Sequence, residues 1–204
     1  MKKTILSLLV AVGLIGSASA QLVGVLSSGI VNPDNGHTFY LLENSDWTDA
    51  EAQAVLMGGH LATITNSAEN QWVFNTFSNY QGTDRFLWLG LNCIAQQGTW
   101  VWSSGSPINY LNWSVYSPDN HNGNESYVLM YGSNIGTGNN RGVISPGTWN
   151  DVYNSPYPYA GNPSGNNFGP VYGVVEVVPE PSTYALFGIG AIALLIVLRR
   201  KKTA

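Results

Sequence analysis

The chain has 204 residues, with 12 acidic and 8 basic side chains, 12% aromatics and a single cysteine, giving a net charge of −4. Its cations crowd the two ends, as Lys2, Lys3, Arg199, Arg200, Lys201 and Lys202, leaving only Arg85 and Arg141 between them. So cation-poor a middle has little with which to neutralise phosphates, which excludes nucleic acid and an anionic lipid surface as partners and leaves cations or uncharged ligands.

In chain order, Met1-Lys2-Lys3 precedes an apolar run from Ile5 to Ile15 and then Gly16-Ser17-Ala18-Ser19-Ala20. A basic start, a short apolar stretch and an A-x-A ending predict a secretory signal over 1–20, cleaved after Ala20. The alternative is a retained anchor. Residues 21–177 then have the size of one domain. Cys93 has no partner for an intrachain disulfide and reads as a small buried hydrophobe. All seven Trp fall inside this stretch, which predicts a loop-rich fold around an aromatic core.

His37–Leu42 reads as a strand. Thr48 with Glu51 has capping-box spacing, and Ala50, Ala54 and Met57 share one face of the helix that would follow, stopped by Gly58-Gly59. His60–Ile64 is extended, and Asn66 with Glu69 opens a second helix from Ser67 to Phe77 with Trp72, Val73 and Phe77 as its apolar face. Phe86–Leu91 is continuously apolar and so belongs at the centre of a sheet. Trp100–Trp102, Tyr127–Tyr131 and Tyr172–Val177 read as further strands between loops rich in Gly, Asn, Ser and Pro. Helices first and strands afterwards give an α+β domain. His37 and His60 read as structural, and His121 as a solvated loop residue.

The end of the chain has three parts: Pro179-Glu180-Pro181, an apolar run from Tyr184 to Leu198, and Arg199-Arg200-Lys201-Lys202. The run is somewhat shorter than the about twenty residues that span a bilayer, and its basic flank would stay in the cytoplasm. Together, 178–204 resemble a PEP-CTERM sorting signal. That resemblance implies recognition by an exosortase-type processing enzyme and a place in the cell envelope, on the outer surface or in the extracellular matrix, where exopolysaccharide is a candidate partner. The membrane is touched only through this tail. A plain single-span anchor is the alternative.

Between the ends, several segments resemble the C-type lectin-like domain. Trp47 through Gly58-Gly59-His60-Leu61-Ala62-Thr63-Ile64 is similar to that family's first helix and its exit. Leu87-Trp88-Leu89-Gly90-Leu91 resembles its central strand, and Gly98-Thr99-Trp100-Val101-Trp102 the strand after it. Tyr110-Leu111-Asn112-Trp113 resembles the entry to its long loop, and Trp149-Asn150-Asp151 its W-N-D motif. The resemblance implies two helices with short antiparallel sheets and long loops.

It also implies a site. Asp119, Glu125, Asn150 and Asp151 would supply oxygen ligands to Ca2+, a hard cation that takes six to eight of them. With Ser117 they would hold a glycan, because the ion leaves positions open for two neighbouring sugar hydroxyls. The proline matching Pro118 is cis in that family. Two features depart from the pattern. Ser117 stands where sugar binders carry Glu or Gln, and Ala54 and Tyr127 stand where framework cysteines are expected. The long 153–172 stretch offers Tyr157, Tyr159 or Phe168 as stacking faces, or is a surface loop. No nucleophile with a base, zinc spacing or phosphate loop is present, so no enzymatic activity is expected. Two functions remain open: a calcium-dependent glycan binder, and an adhesive or structural protein-binding module that needs no ion.

Overall fold

The computed structural model describes residues 22–133, 144–155, 157 and 170–179. The expected signal over 1–20, Glu180, Pro181, the apolar tail, Tyr159 and Phe168 lie outside the described residues. Among those described, no helix is long and apolar enough to cross a membrane.

The elements run β1 (Ile30–Val31), β2 (Thr38–Asn44), α1 (Trp47–Leu56), β3 (His60–Leu61), α2 (Ser67–Phe77), β4 (Phe86–Asn92), β5 (Val101–Trp102), β6 (Tyr127–Met130), β7 (Trp149–Val152) and β8 (Val171–Val177). Eight strands join in one sheet of order β1-β2-β8-β4-β6-β7, with β3 on β8 and β5 on β4. The pairs are antiparallel except β4 with β8, which run parallel. The domain is α+β as expected, although its short strands share one mixed sheet instead of forming separate antiparallel ones.

Every residue of β4 is buried, as its unbroken apolar run demands. Its side chains alternate between two cores. Leu87, Leu89 and Leu91 pack with Val73 and Phe77 of α2, whereas Phe86 and Trp88 pack with Trp47, Ala50 and Ala54 of α1. Strand alternation thus divides the apolar residues between the two helix layers. Two of the buried indoles tie the helix layers to the strands through their N–H groups: Trp47 donates to the Leu89 carbonyl at 2.7 Å and Trp88 to that of Ser45 at 2.9 Å. Cys93 is buried, as expected.

The expected cap of α2 is present, for the Asn66 side chain accepts from the Glu69 N–H at 2.9 Å. Glu69 reaches one residue further back, to Thr65. At α1 the capping residue differs. Asp46, not Thr48, is the N-cap, accepting from the Asp49 N–H at 2.8 Å. Glu51 is drawn away by tertiary partners: the His60 imidazole at 2.6 Å, the Leu61 N–H at 2.8 Å and the Ser103 hydroxyl at 3.1 Å. His37 meets Glu176 at 2.5 Å, so both histidines serve the framework as expected.

Gly58 ends α1 at φ +82°, a left-handed conformation that favours glycine. Gly59 is required for a different reason. A Cβ there would sit 2.1 Å from the Glu176 carbonyl oxygen, main chain that cannot move without opening the β3–β8 pairing. Gly59→Ala is therefore expected to cost about 1–3 kcal/mol in urea unfolding. A loss below about 0.5 kcal/mol would mean that this close approach is not fixed.

Candidate functional site

The site is assembled by β7. Its register against β6 places Asn150 opposite Leu129 and Asp151 opposite Val128. On its other side runs the loop that follows Asn112: the Trp149 N–H donates to the Asn112 carbonyl, and the Ser114 N–H to that of Trp149, each at 2.8 Å. The loop is thereby aligned with β7 before it turns at the Ser117–Pro118 peptide, which is cis as the resemblance implied.

Beyond the turn, the chain folds over the Asp151 carboxylate. The Asp119 N–H donates to Oδ1 at 3.0 Å and the Asn120 N–H to Oδ2 at 2.8 Å. The next turn is tied by Glu125, whose Oε2 accepts from the His121 N–H at 2.8 Å while its own N–H donates to the Asn120 side chain at 3.1 Å. The left-handed backbone of Asn120 and Asn122 suits asparagine, which tolerates that region better than most residues.

These bonds bring three of the expected ligands together. One carboxylate oxygen from each of Asp119, Glu125 and Asp151 lies within 4.8 Å of the others. Asp151 is fully buried, Glu125 nearly so, and Asp119 faces solvent. Burial lifts the Glu125 carboxyl from 4.5 to about 8, against the His121 hydrogen bond that lowers it, and the charges of Asp151 and Asp119 add to the rise. Burial also raises Asp151, opposed by the two loop amides. Asn150 lies beside the cluster, with its Oδ1 accepting from the Ser117 hydroxyl. Ser117 in turn contacts the Ser114 hydroxyl at 2.8 Å. His121 contributes its main chain to the loop and its side chain is exposed. Tyr157 is exposed.

Oxygens sharing one calcium ion lie about 2.3–2.6 Å from it, hence within roughly 5 Å of each other. The carboxylate trio meets that limit. A cation also relieves the like-charge repulsion that contributes to raising Glu125. The donor set fits calcium.

A family model for the C-type lectin domain matches residues 43–155, and so takes in α1, the central strands, the loop and β7. The chain belongs to the C-type lectin family. A second model, for the PEP-CTERM protein-sorting motif, matches 177–201. Among curated proteins, the chain is 38% identical over 76 residues to a galactose-specific lectin, nattectin, of Thalassophryne nattereri, covering 37% of this chain and 48% of that protein. It is 35% identical over 102 residues to a C-type lectin mannose-binding isoform of Oxyuranus scutellatus, covering 48% of this chain and 65% of that one. The chain thus spans only about half to two thirds of the length of these relatives.

Among solved structures, the C-type lectin CEL-I of Cucumaria echinata superposes with a TM-score of 0.57 at 20% identity, over 76% of this chain and 98% of that one. A calcium-independent type II antifreeze protein does so with a TM-score of 0.50 at 18% identity, over 76% and 95%. Likeness at such identities speaks to the fold alone. The C-type lectin domain is a binding domain rather than an enzyme, and the relatives are named as lectins and receptors.

Sequence reasoning missed the residues that hold the site from behind. Gln97 and Cys93 approach the Glu125 carbonyl, and Gln97 is separated from it by 28 positions. No local pattern marks such a contact.

Proposed function

We propose that this protein binds carbohydrate through a calcium ion held by Asp119, Glu125, Asn150 and Asp151, and that it works outside the cytoplasm. The observation that carries the reading is the convergence of three carboxylates from one loop and one strand within 4.8 Å. Bound calcium supplies open coordination positions for neighbouring sugar hydroxyls. Asp151 fixes the loop through two amides, Glu125 closes the following turn, and Asp119 faces the solvent from which a ligand arrives. Ser117 and Asn150 border the site. The galactose-specific and mannose-binding names of the relatives support a sugar as ligand, and an uncharged glycan suits so acidic a domain. Ala18-Ser19-Ala20 and Pro179-Glu180-Pro181 support export with cleavage after Ala20, processing by an exosortase-type enzyme and residence in the envelope or its matrix, with 21–177 as the working domain and exopolysaccharide as a partner.

A second reading is favoured by one observation. The loop amides and the Ser117 hydroxyl already satisfy Asp151 and Asn150, so the loop closes on hydrogen bonds alone. A calcium-independent adhesive module could use that same closed loop.

Calorimetric titration of calcium into the full chain separates the two. We expect saturable heat that Glu125→Gln removes. Calcium requires the Glu125 carboxylate, which below about pH 8 is held by a proton, so affinity should rise between pH 6 and pH 8 with proton release on binding. Without the ion the sign reverses for stability. Glu125 titrates higher folded than unfolded, so its contribution is full below its ordinary value of 4.5 and is lost as pH climbs to about 8. A folded chain that gives no heat with calcium at pH 8 would sink the ion-dependent reading and favour the adhesive one.

A further inference from the structure

We propose that Gln97 is a positioning residue for Glu125, fixing its main chain so that the carboxylate cluster is formed before any cation arrives. The inference deepens the calcium reading and rests on it for its functional meaning.

Glu125 is held from two sides. Toward the cluster, its Oε2 takes the His121 N–H at 2.8 Å. From behind, its carbonyl oxygen accepts from the Gln97 side-chain N–H at 3.0 Å and lies 3.8 Å from the Cys93 thiol. The other end of the same amide group is also engaged, since Gln97 Oε1 accepts from the Ser126 hydroxyl at 3.1 Å. The Cys93 N–H donates to the Ser126 carbonyl at 2.9 Å. One side chain thus bridges two successive residues at the point where the loop enters β6.

Gln97 lies in the connection between β4 and β5, a few residues beyond a strand that is buried along its whole length. The chemistry is suited to the task. A neutral amide offers a donor and an acceptor at once, and so fixes a peptide group without bringing a positive charge that would compete for the Glu125 carboxylate. A lysine there would donate, but would place a cation next to an acidic site. Fixing the ligand in advance lowers the ordering cost of binding, and partners that orient ligands without touching the metal commonly change affinity 10–100-fold. Gln97 is itself exposed, which places its effect at the lower end of that range.

The test uses Gln97→Ala and Gln97→Met in the full chain, the second keeping the bulk but neither polar group. Three quantities are read: calcium affinity by calorimetry, hydrogen exchange at the His121 amide in chelator, and melting temperature in chelator. We expect both variants to bind calcium about tenfold more weakly, with faster exchange at His121 and little change in melting temperature. Parent-like affinity with unchanged His121 protection in either variant would overturn the proposal, because bulk or nothing would then be at work. If the parent chain takes no calcium, the cation reading fails and exchange alone decides on Gln97. Faster exchange in both variants upholds the positioning role, and unchanged exchange overturns it.

Discussion

Asp151→Ala is expected to abolish measurable calcium binding and to release the 119–125 loop, while leaving the sheet folded. The carboxylate does two things at once. It contributes an oxygen to the cluster and accepts the Asp119 and Asn120 amides at 3.0 and 2.8 Å. Alanine leaves both amides without this acceptor; a fully buried donor left unpaired costs about 1–3 kcal/mol, and these part-buried amides recover some of that from water. One effect opposes this. Burial raises the Asp151 carboxyl, so removing its charge relieves some desolvation cost, and it also relieves Glu125 of a like-charge neighbour. The net loss of stability should therefore be modest, about 1–2 kcal/mol, beside a complete loss of calcium heat. Asp151→Asn separates the roles. It keeps the shape and one acceptor but presents an N–H to a loop amide, so it should restore part of the stability and none of the ion binding. Calcium binding within a few-fold of the parent in either variant would show that the ion binds elsewhere.

What the sequence disclosed, and what it hid, follows from how local the deciding interactions are. β4 was legible because burial on both faces leaves a continuous apolar run, and Asn66 because its cap needs only a residue three positions on. The acids of the site could be named from their motifs, yet their convergence depends on pairings between 119–125 and 151 that no spacing encodes. The sequence points to Thr48 as the α1 cap where the structure has Asp46, for a physical reason. Ser45, Asp46 and Thr48 all suit the position, and the Glu51 that made Thr48 attractive is instead claimed by His60, Leu61 and Ser103. β1 is two residues long and is defined only by its pairing with β2. In the sequence β7 shows as a motif and not as a strand, because Asn and Asp are poor strand formers until β6 and the loop flank them. Gln97 gave no signal at all. A glutamine in a polar loop looks like solvated surface until the chain it clamps is beside it.

Trp149→Ala should be the most destabilising substitution in the domain, and the reason connects the core to the site. The indole is fully buried in the α2-side core, with Trp102, Tyr110 and Trp113 edge-on at 5.9, 5.7 and 6.2 Å between ring centroids. Its N–H donates at 2.8 Å to Asn70 of α2, whose own amide holds the Gly147 carbonyl at 3.1 Å. Its main chain is the rung that binds the long loop through Asn112 and Ser114. Truncation removes the filler of an aromatic cluster and leaves the Asn70 oxygen without this donor, for which about 3–5 kcal/mol is the usual cost. In a domain of this size that is a melting temperature lower by roughly 10–15 °C. Trp149→Phe keeps most of the volume and loses the donor, so it should cost only about 1–2 kcal/mol. Because Asn150 and Asp151 follow on the same strand, the alanine variant should also weaken calcium binding at temperatures where it is still folded. A cavity that left affinity untouched would show that the main-chain rungs alone hold the site. A fall in affinity tracking the loss of packing would show that the aromatic cluster sets the position of the ligands next to it in the chain.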